Sequence, residues 1–228
     1  MIYIPLETPS GRKIERVGIW MSGGSDSSLL AYVLAKYIID NNLQIKLVPL
    51  TIDYKRPFQY IAVEVRKKIV ELLGKDIFEG HVVYHPLGEH NFTAEELRDE
   101  FHHRNYENFK QDKIQVLYSG ITTNPPVDVQ KTFNWGVLED VEAKRGLDIK
   151  KQTHRYFTKI EDGKEYEFYE IKPYFEADKR YIASLYDAHN LMDTLFPLTR
   201  SCEDLETVRG HCGKCWWCEE RMWGFGTL

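Results

Sequence analysis

Cysteine is missing from the first 201 residues of this 228-residue chain. A disulfide framework spreads its cysteines to close long loops, so that organisation is excluded. No apolar run reaches the ~18–20 residues that a membrane-spanning helix needs. The opening MIYIPLETPSGRKIER lacks the charged leader, apolar core and small-residue cleavage site of a signal peptide. The expectation is a cytoplasmic protein with no membrane partner. Repeats and low-complexity segments are absent, and neither a Gly-Lys-Ser/Thr P-loop nor a GxGxxG string occurs. A basic surplus is lacking too: 30 lysines and arginines face 35 acidic residues, a net charge of −5. That weighs against extended binding to a nucleic-acid backbone, though not against a small polar substrate. Core material is plentiful. Apolar residues at 43% and aromatics at 13% exclude disorder and suffice for one domain with or without a small appendage.

Short apolar stretches alternate with helical patterns. Ile14–Trp20 reads as a strand, and Leu29, Leu30, Val33, Leu34, Tyr37 and Ile38 recur at helical spacing. Ile45–Thr51 is a continuous apolar run, as in a strand buried on both faces. Ile61, Val65, Ile69, Leu72 and Leu73 predict a helix ending at Gly74. His81–His85 and Ile114–Tyr118 are further strand candidates, and Thr93-Ala-Glu-Glu96 is a capping-box signature. This order predicts an α/β fold, a mostly parallel sheet with helices on both faces. Residues 119–152 read as a long irregular connection. Tyr156–Ile160 and Glu165–Ile171 flank an Asp-Gly pair, a hairpin signal over about 153–171. Such a hairpin is an arm, a lid or a plain surface feature. A last helix is expected over Asp178–Asn190.

Between the first strand and helix stands Ser22-Gly-Gly-Ser-Asp-Ser27. Consecutive backbone N–H groups in a tight turn, followed by a helix N-terminus, make an anion-binding nest. Glycines let the backbone approach a phosphate, and Ser22, Ser25, Ser27 and Ser28 offer hydroxyls. Bare phosphate repels a carboxylate, so Asp26 suggests a Mg2+ ion shared with a nucleotide. The plainer reading is a serine or aspartate cap on an ordinary helix.

All four cysteines cluster near the C-terminus, as Cys202-x9-Cys212-x2-Cys215-x2-Cys218. Four thiolates suffice for a closed tetrahedral Zn2+ site, which is structural rather than catalytic. An iron–sulfur cluster is the alternative; free core cysteines fit two successive CxxC pairs poorly.

Ser22–Ser27 resembles the SGGxDS signature of the PP-loop, or N-type, ATP pyrophosphatases. The resemblance implies an adenine-nucleotide-hydrolase-like, Rossmann-like fold and cleavage of ATP between the α and β phosphates. A substrate oxygen attacks the α-phosphorus, pyrophosphate leaves into the loop, and a nitrogen or sulfur nucleophile displaces AMP. The C-terminal FPLTRSCEDLETVRGHCGKCWWCEERMWGF resembles that of 7-cyano-7-deazaguanine synthases. Thr199, Ser201, Cys202, Cys212, Gly213, Cys215, Cys218, Arg221, Gly224 and Phe225 fit its spacing. LTIDYKRPFQYIAVEV and IKPYFEADKRYIASLYDAHNLMD also resemble segments of that family. By position, Asp53 and Tyr54 are expected near the adenosine. The middle departs from the family: Tyr118-Ser-Gly-Ile-Thr-Thr-Asn-Pro-Pro126 lacks the Asp-Cys-Arg portion of its acid-binding segment.

The resulting expectation is a pyrophosphatase domain over 1–198 and a zinc-binding segment over 199–228. ATP, Mg2+ and Zn2+ are the implied cofactors. Ser22, Gly23, Gly24, Ser25, Asp26 and Ser27 hold pyrophosphate. Asp26 and Ser27 also take part in catalysis, with Lys172 and Arg200 as candidates to neutralise phosphate. The partners are a deazapurine-like carboxylate and ammonia, with a homodimer left open. Arg221, Trp216 and Trp217 are read as packing around the metal site, and His85, His90, His102 and His103 as surface residues. A sulfur transferase and a non-catalytic nucleotide-binding subunit are the competing functions.

Overall fold

The computed structural model describes residues 2–52, 58–85, 94–137, 154–202, 204 and 210–228. Its strands are β1 (Arg16–Trp20), β2 (Lys46–Ile52), β3 (Val82–Tyr84), β4 (Val116–Tyr118), β5 (His154–Glu161) and β6 (Lys164–Ile171). The helices are α1 (Ser25–Asp40), α2 (Phe58–Leu73), α3 (Ala94–Lys110), α4 (Val127–Gln130), α5 (Lys179–Ala188) and α6 (Trp216–Phe225). One six-stranded sheet has the order β3-β2-β1-β4-β6-β5, parallel throughout except for the antiparallel edge strand β5.

Period-two alternation divides the core in two. Val17, Ile19, Leu47, Val116, Tyr118 and Ile171 pack on one face with Leu30 and Leu34 of α1, Val65 and Ile69 of α2 and Ile182 of α5. Val48, Leu50, Leu117 and Phe168 point to the other face, where they meet Phe109 of α3. The expected α/β sheet, covered on both faces, is therefore the observed fold, with the cysteine cluster at its C-terminal end.

β2 carries Pro49 inside the sheet, which works because of where the missing N–H falls. The Leu47 amide donates to the Ile77 carbonyl on the β3 side, so Pro49, two residues on, faces that side too. There the chain has passed the Leu47–Phe78 bridge and has not reached the first β3 pair, Leu50 with Val82. β3 and β4 are shorter than the apolar runs imply. Just before β4 the Gln115 amide donates to the Arg16 carbonyl at 3.0 Å, and its side chain adds to that pairing: its Oε1 accepts from the Glu15 and Arg16 amides at 3.1 and 2.7 Å.

Asp162 and Gly163 both adopt positive φ (52° and 74°), as a two-residue hairpin requires. β5 and β6 pair over eight residues, but only Glu170 and Ile171 reach β4. The base of the hairpin is thus part of the sheet while its remainder projects past it. The capping box anticipated at 93–96 begins outside the described residues.

Candidate active site

Strand order reverses between β1, which leads to β2 and β3, and β4, which leads to β6. Ligands of open parallel sheets bind outside the carboxyl ends at such a switch point. The Ser/Gly loop follows β1 and Ser119-Gly120 follows β4, both at the carboxyl ends flanking the switch. Gly23 has φ +77°, and a Cβ there would lie 2.4 Å from Ile61 Cγ2, so loop and α2 interlock only around glycine. A Cβ on Gly120 would lie 2.9 Å from Ser27 N and 3.0 Å from the Asp26 carbonyl carbon. The two loops therefore touch backbone to backbone.

Helix α1 has no side-chain cap. Its N-cap is Gly24, with no side-chain hydrogen bond to the first turn. The plain capping reading of the serines fails on this point, and the unpaired amides of the first turn remain for a ligand. Ser25 and Ser27 are buried. From below, the Tyr186 hydroxyl donates to the Ser25 carbonyl at 2.8 Å. Burial, and then the charge of Asp26, hold the Tyr186 and Tyr174 phenols well above their usual pKa.

The loop opens into a cavity of about 1100 Å3 with two chemically distinct ends. At the polar end Asp26 is ion-paired with Lys179, which also lies 3.7 Å from Glu220. The side chains of Lys179 and Glu220 are 7% and 1% exposed, and that of Asp26 17%. Lys172, at the end of β6, pairs with Glu170 at 3.1 Å. Arg200 is held by the carbonyls of Gly210 (3.1 Å) and Asp204 (2.7 Å), and its backbone N–H donates to the Gly23 carbonyl at 2.9 Å. The other end is aromatic: Trp20, Phe101, Tyr106, Phe109, Phe157 and Phe168 line it, with Asn105 and Arg155 as polar groups. Phe168 lies between Phe157 and Tyr106, stacked at 4.7 and 5.1 Å.

Of the residues anticipated from sequence, Ser22, Gly24, Ser25, Asp26, Ser27, Lys172 and Arg200 line this cavity. Gly23 supports the loop from behind. Asp53 and Tyr54 lie outside the described residues. Ser28, offered as a hydroxyl donor, is instead fully buried away from the cavity. Sequence reasoning did not single out Lys179, Glu220, Glu170 or Gly120. Lys179 had two visible signals: it lies in the family-like segment IKPYFEADKRYIASLYDAHNLMD, and it directly follows Asp178, whose side chain caps α5 by accepting from the Tyr181 amide at 3.0 Å.

The four cysteines do converge. All four Sγ atoms lie within 4.8 Å of one another, with Cys202–Cys215 and Cys212–Cys218 both at 3.9 Å. Four thiolates ~2.3 Å from one Zn2+ stand about 3.8 Å apart. A cubane cluster needs a wider spread, because each thiolate binds a different iron at an outer corner. The donor set therefore fits a single tetrahedral ion. Burial opposes ionisation of Cys212, but the backbone N–H groups of Lys214 and Cys215 and the neighbouring thiols outweigh it and bring its pKa down to about 7. Gly213, at φ +74°, makes the turn between ligands.

Motif residues around the cluster build a bridge to the polar end. Buried Arg221 donates to Thr199 Oγ1 at 2.8 Å and to the Phe196 carbonyl at 3.2 Å, with its guanidinium 3.8 Å from the Phe196 ring centre. Burial lowers its pKa to about 10. Phe225 stacks on Phe196 at 4.3 Å. A Cβ on Gly224 would lie 2.3 Å from Lys179 Cβ, so α6 crosses α5 at the lysine itself. Trp216 is buried against Phe133, while Trp217 borders the cavity.

No protein-family model matches the sequence, and no curated protein matches it significantly. Among solved structures, the chain is similar to the U34-tRNA thiolase NcsA from Methanococcus maripaludis with its [4Fe-4S] cluster. Identity is 16% and the TM-score 0.45, over 82% of this chain and 58% of that one. The present chain thus spans little more than half of that neighbour's length. Among the described residues no helix is long and apolar enough to cross a membrane.

Proposed function

We propose that this protein is an ATP-dependent, AMP-forming enzyme of the PP-loop type. It activates the carboxylate of a planar heterocyclic acid and couples it to ammonia. A 7-carboxy-7-deazaguanine-like acid is the substrate that best suits the resemblance and the aromatic end of the cavity. The observation that carries this reading is the uncapped N-terminus of α1. Together with the Ser22–Ser27 loop it opens onto the same cavity as the buried cations Lys172, Lys179 and Arg200.

The β and γ phosphates rest against the loop amides and the positive end of α1. An oxygen of the acid attacks the α-phosphorus, the bond from the α-phosphorus to the bridging oxygen breaks, and pyrophosphate departs into the loop. Arg200 is anchored at its guanidinium and its backbone, so it offers charge to the leaving group without reorganising. Lys179 and Lys172 are paired with carboxylates and hold their positive ends in the cavity wall. Ammonia then attacks the carbonyl carbon of the acyl adenylate, AMP leaves, and a proton is lost to give the amide. A second ATP activates the amide oxygen in the same way with loss of pyrophosphate and one N–H proton, and departure of AMP with the remaining N–H proton gives the nitrile. Mg2+ bound with the nucleotide supplies further charge neutralisation. Asp26 is the residue that would hold it, and a single carboxylate suits a Mg2+ completed by phosphates and water.

The cavity exceeds the range of an ordinary one-ligand pocket, ~300–1,000 Å3, which supports a nucleotide and an acceptor bound together. The aromatic wall suits a flat acceptor by stacking. The cysteine cluster would hold Zn2+ as a structural ion: its sulfurs complete a tetrahedron, and the sequence has no cysteine elsewhere to carry sulfur.

The test is ATP–pyrophosphate exchange across a series of deazapurine acids, with metal analysis of the purified protein. Exchange that requires one acid, disappears in Asp26→Asn and accompanies zinc without iron is the expected result. ATP binding without exchange for any acid overturns the reading in favour of a nucleotide-binding subunit. Iron in the cluster with sulfur transfer to RNA overturns it in favour of a thiolase.

A further inference from the structure

Among the described residues, the lysines and arginines that line the cavity are Arg155, Lys172, Lys179 and Arg200. Lys172 pairs with Glu170, Lys179 pairs with Asp26 and Glu220, and Arg200 is held by backbone carbonyls. Those same acids are the carboxylates of the described lining. Arg155 is left over. Glu170 stands directly opposite it across the β5–β6 pair but turns its carboxylate to Lys172 at 3.1 Å, and among the described residues no carboxylate pairs with Arg155.

What Arg155 touches is a ring. Strand alternation puts Arg155 and Phe157 on one face of the hairpin, and both line the cavity. The guanidinium carbon lies 4.8 Å from the centre of the Phe157 ring, which is itself stacked on Phe168. A guanidinium laid against a ring keeps its N–H donors, which lie in its own plane, and that fork matches a carboxylate. The ring thus orients the charge without neutralising it. Position then selects the anion. The loop amides that face phosphate follow β1, and β4 and β6 stand between β1 and β5. At ~4.8 Å per strand, β5 lies about 14 Å from β1, farther than an arginine side chain extends. Arg155 instead sits where the aromatic wall meets the polar end, opposite the Glu170 that joins β6 to β4. The loop after β4 brings Ser119, Gly120, Ile121 and Thr122 to the cavity, and no cation.

We infer that Arg155 is the specificity-determining residue for the acceptor: its N–H fork receives the carboxylate of the planar acid whose ring lies along the aromatic wall. One carboxylate oxygen stays on the guanidinium, and the other faces the α-phosphorus. The hairpin is thereby part of the acceptor site, and it selects an anionic acceptor over a neutral one of the same shape. This role deepens the proposed function and rests on it for the class of acid.

Calorimetric titration of 7-carboxy-7-deazaguanine, and of its neutral amide, into the full chain holding a non-hydrolysable ATP analogue and Mg2+ tests this apart from turnover. Arg155→Gln is expected to weaken binding of the acid ~10–100-fold, the loss of a charged hydrogen-bonded pair, and that of the amide less than about threefold. Arg155→Lys keeps the charge but not the fork and is expected to recover part of the loss. Arg155 is exposed, so both variants should fold, which circular dichroism checks. In pyrophosphate exchange the KM for the acid should rise in Arg155→Gln by more than kcat falls. Binding of the acid that ignores Arg155→Gln, or acid and amide weakened alike, overturns the inference. A wild type that binds the acid through Arg155 yet shows no exchange upholds the inference and overturns the reaction. A wild type that binds neither probe overturns the inference together with the proposed acid.

Discussion

Replacing Lys179 with methionine probes the polar end of the cavity most directly. Methionine keeps the Cβ and stem against which Gly224 packs, so the α5–α6 crossing survives and only the charge is lost. Asp26 and Glu220 then share a site with no lysine between them, and Glu220 is 1% exposed. Removing one partner of a buried ion pair costs ~3–5 kcal/mol. Asp26 borders the cavity and recovers some hydration, which places the expectation near the lower figure, about 3 kcal/mol. With a urea slope of ~2–3 kcal/mol/M for a chain of this size, the unfolding midpoint should fall by about 1 M. The double variant Lys179→Met/Asp26→Asn should lose less than the sum of the two single losses, since the second change removes a charge the first left stranded. Urea unfolding at neutral pH with zinc present measures both. An unchanged midpoint in Lys179→Met, or strict additivity in the cycle, would refute the claim that a buried charge network organises the loop.

Gly120→Ala pushes a methyl group against Ser27 N and the Asp26 carbonyl carbon, neither of which can yield like a side chain. It should cost ~1–3 kcal/mol in thermal or urea unfolding, and displacing the loop should cut pyrophosphate exchange ~100-fold. Chelating the Zn2+ proposed for the cysteine cluster should loosen α6, with a loss of near-ultraviolet tryptophan dichroism that added Zn2+ restores. His81, whose pKa is lowered to about 4 by burial and then by Arg66, lies with Nε2 2.8 Å from Thr51 Oγ1; because the Thr51 hydroxyl donates to the Met21 carbonyl at 2.6 Å, the imidazole is the donor of that pair. Its folded pKa lies below its unfolded value near 6.5, so the unfolded chain takes up the proton first as pH falls. The contribution is full well above pH 6.5 and declines as pH falls toward 4, and His81→Gln should flatten that slope in urea titrations at successive pH values.

Residues that speak through local pattern were readable from the chain alone. Ile45–Thr51 announced β2, Asp162-Gly163 announced the hairpin turn, and the cysteine spacing announced a shared donor set. Lys172 and Arg200 were suspected from position and do line the cavity. What stayed hidden depends on contacts between distant segments. Lys179 is an unremarkable first-turn residue until Gly224 lets α6 bring Glu220 to it. Gly120 looks like any loop glycine until α1 arrives beside it. The aromatic wall is assembled from β1, α3 and the hairpin, elements whose mutual placement no short motif encodes.

That separation of supply has an evolutionary corollary. The polar groups of the cavity come from the turn after the first strand and from the C-terminal third of the chain, whereas the rings opposite them sit mainly on α3 and the β5–β6 ribbon. Under the proposed function, drift in the rings retunes which molecule is accepted while the polar groups proposed to act on the triphosphate stay as they are. A lineage built on this scaffold is free to exchange clients without relearning its trade.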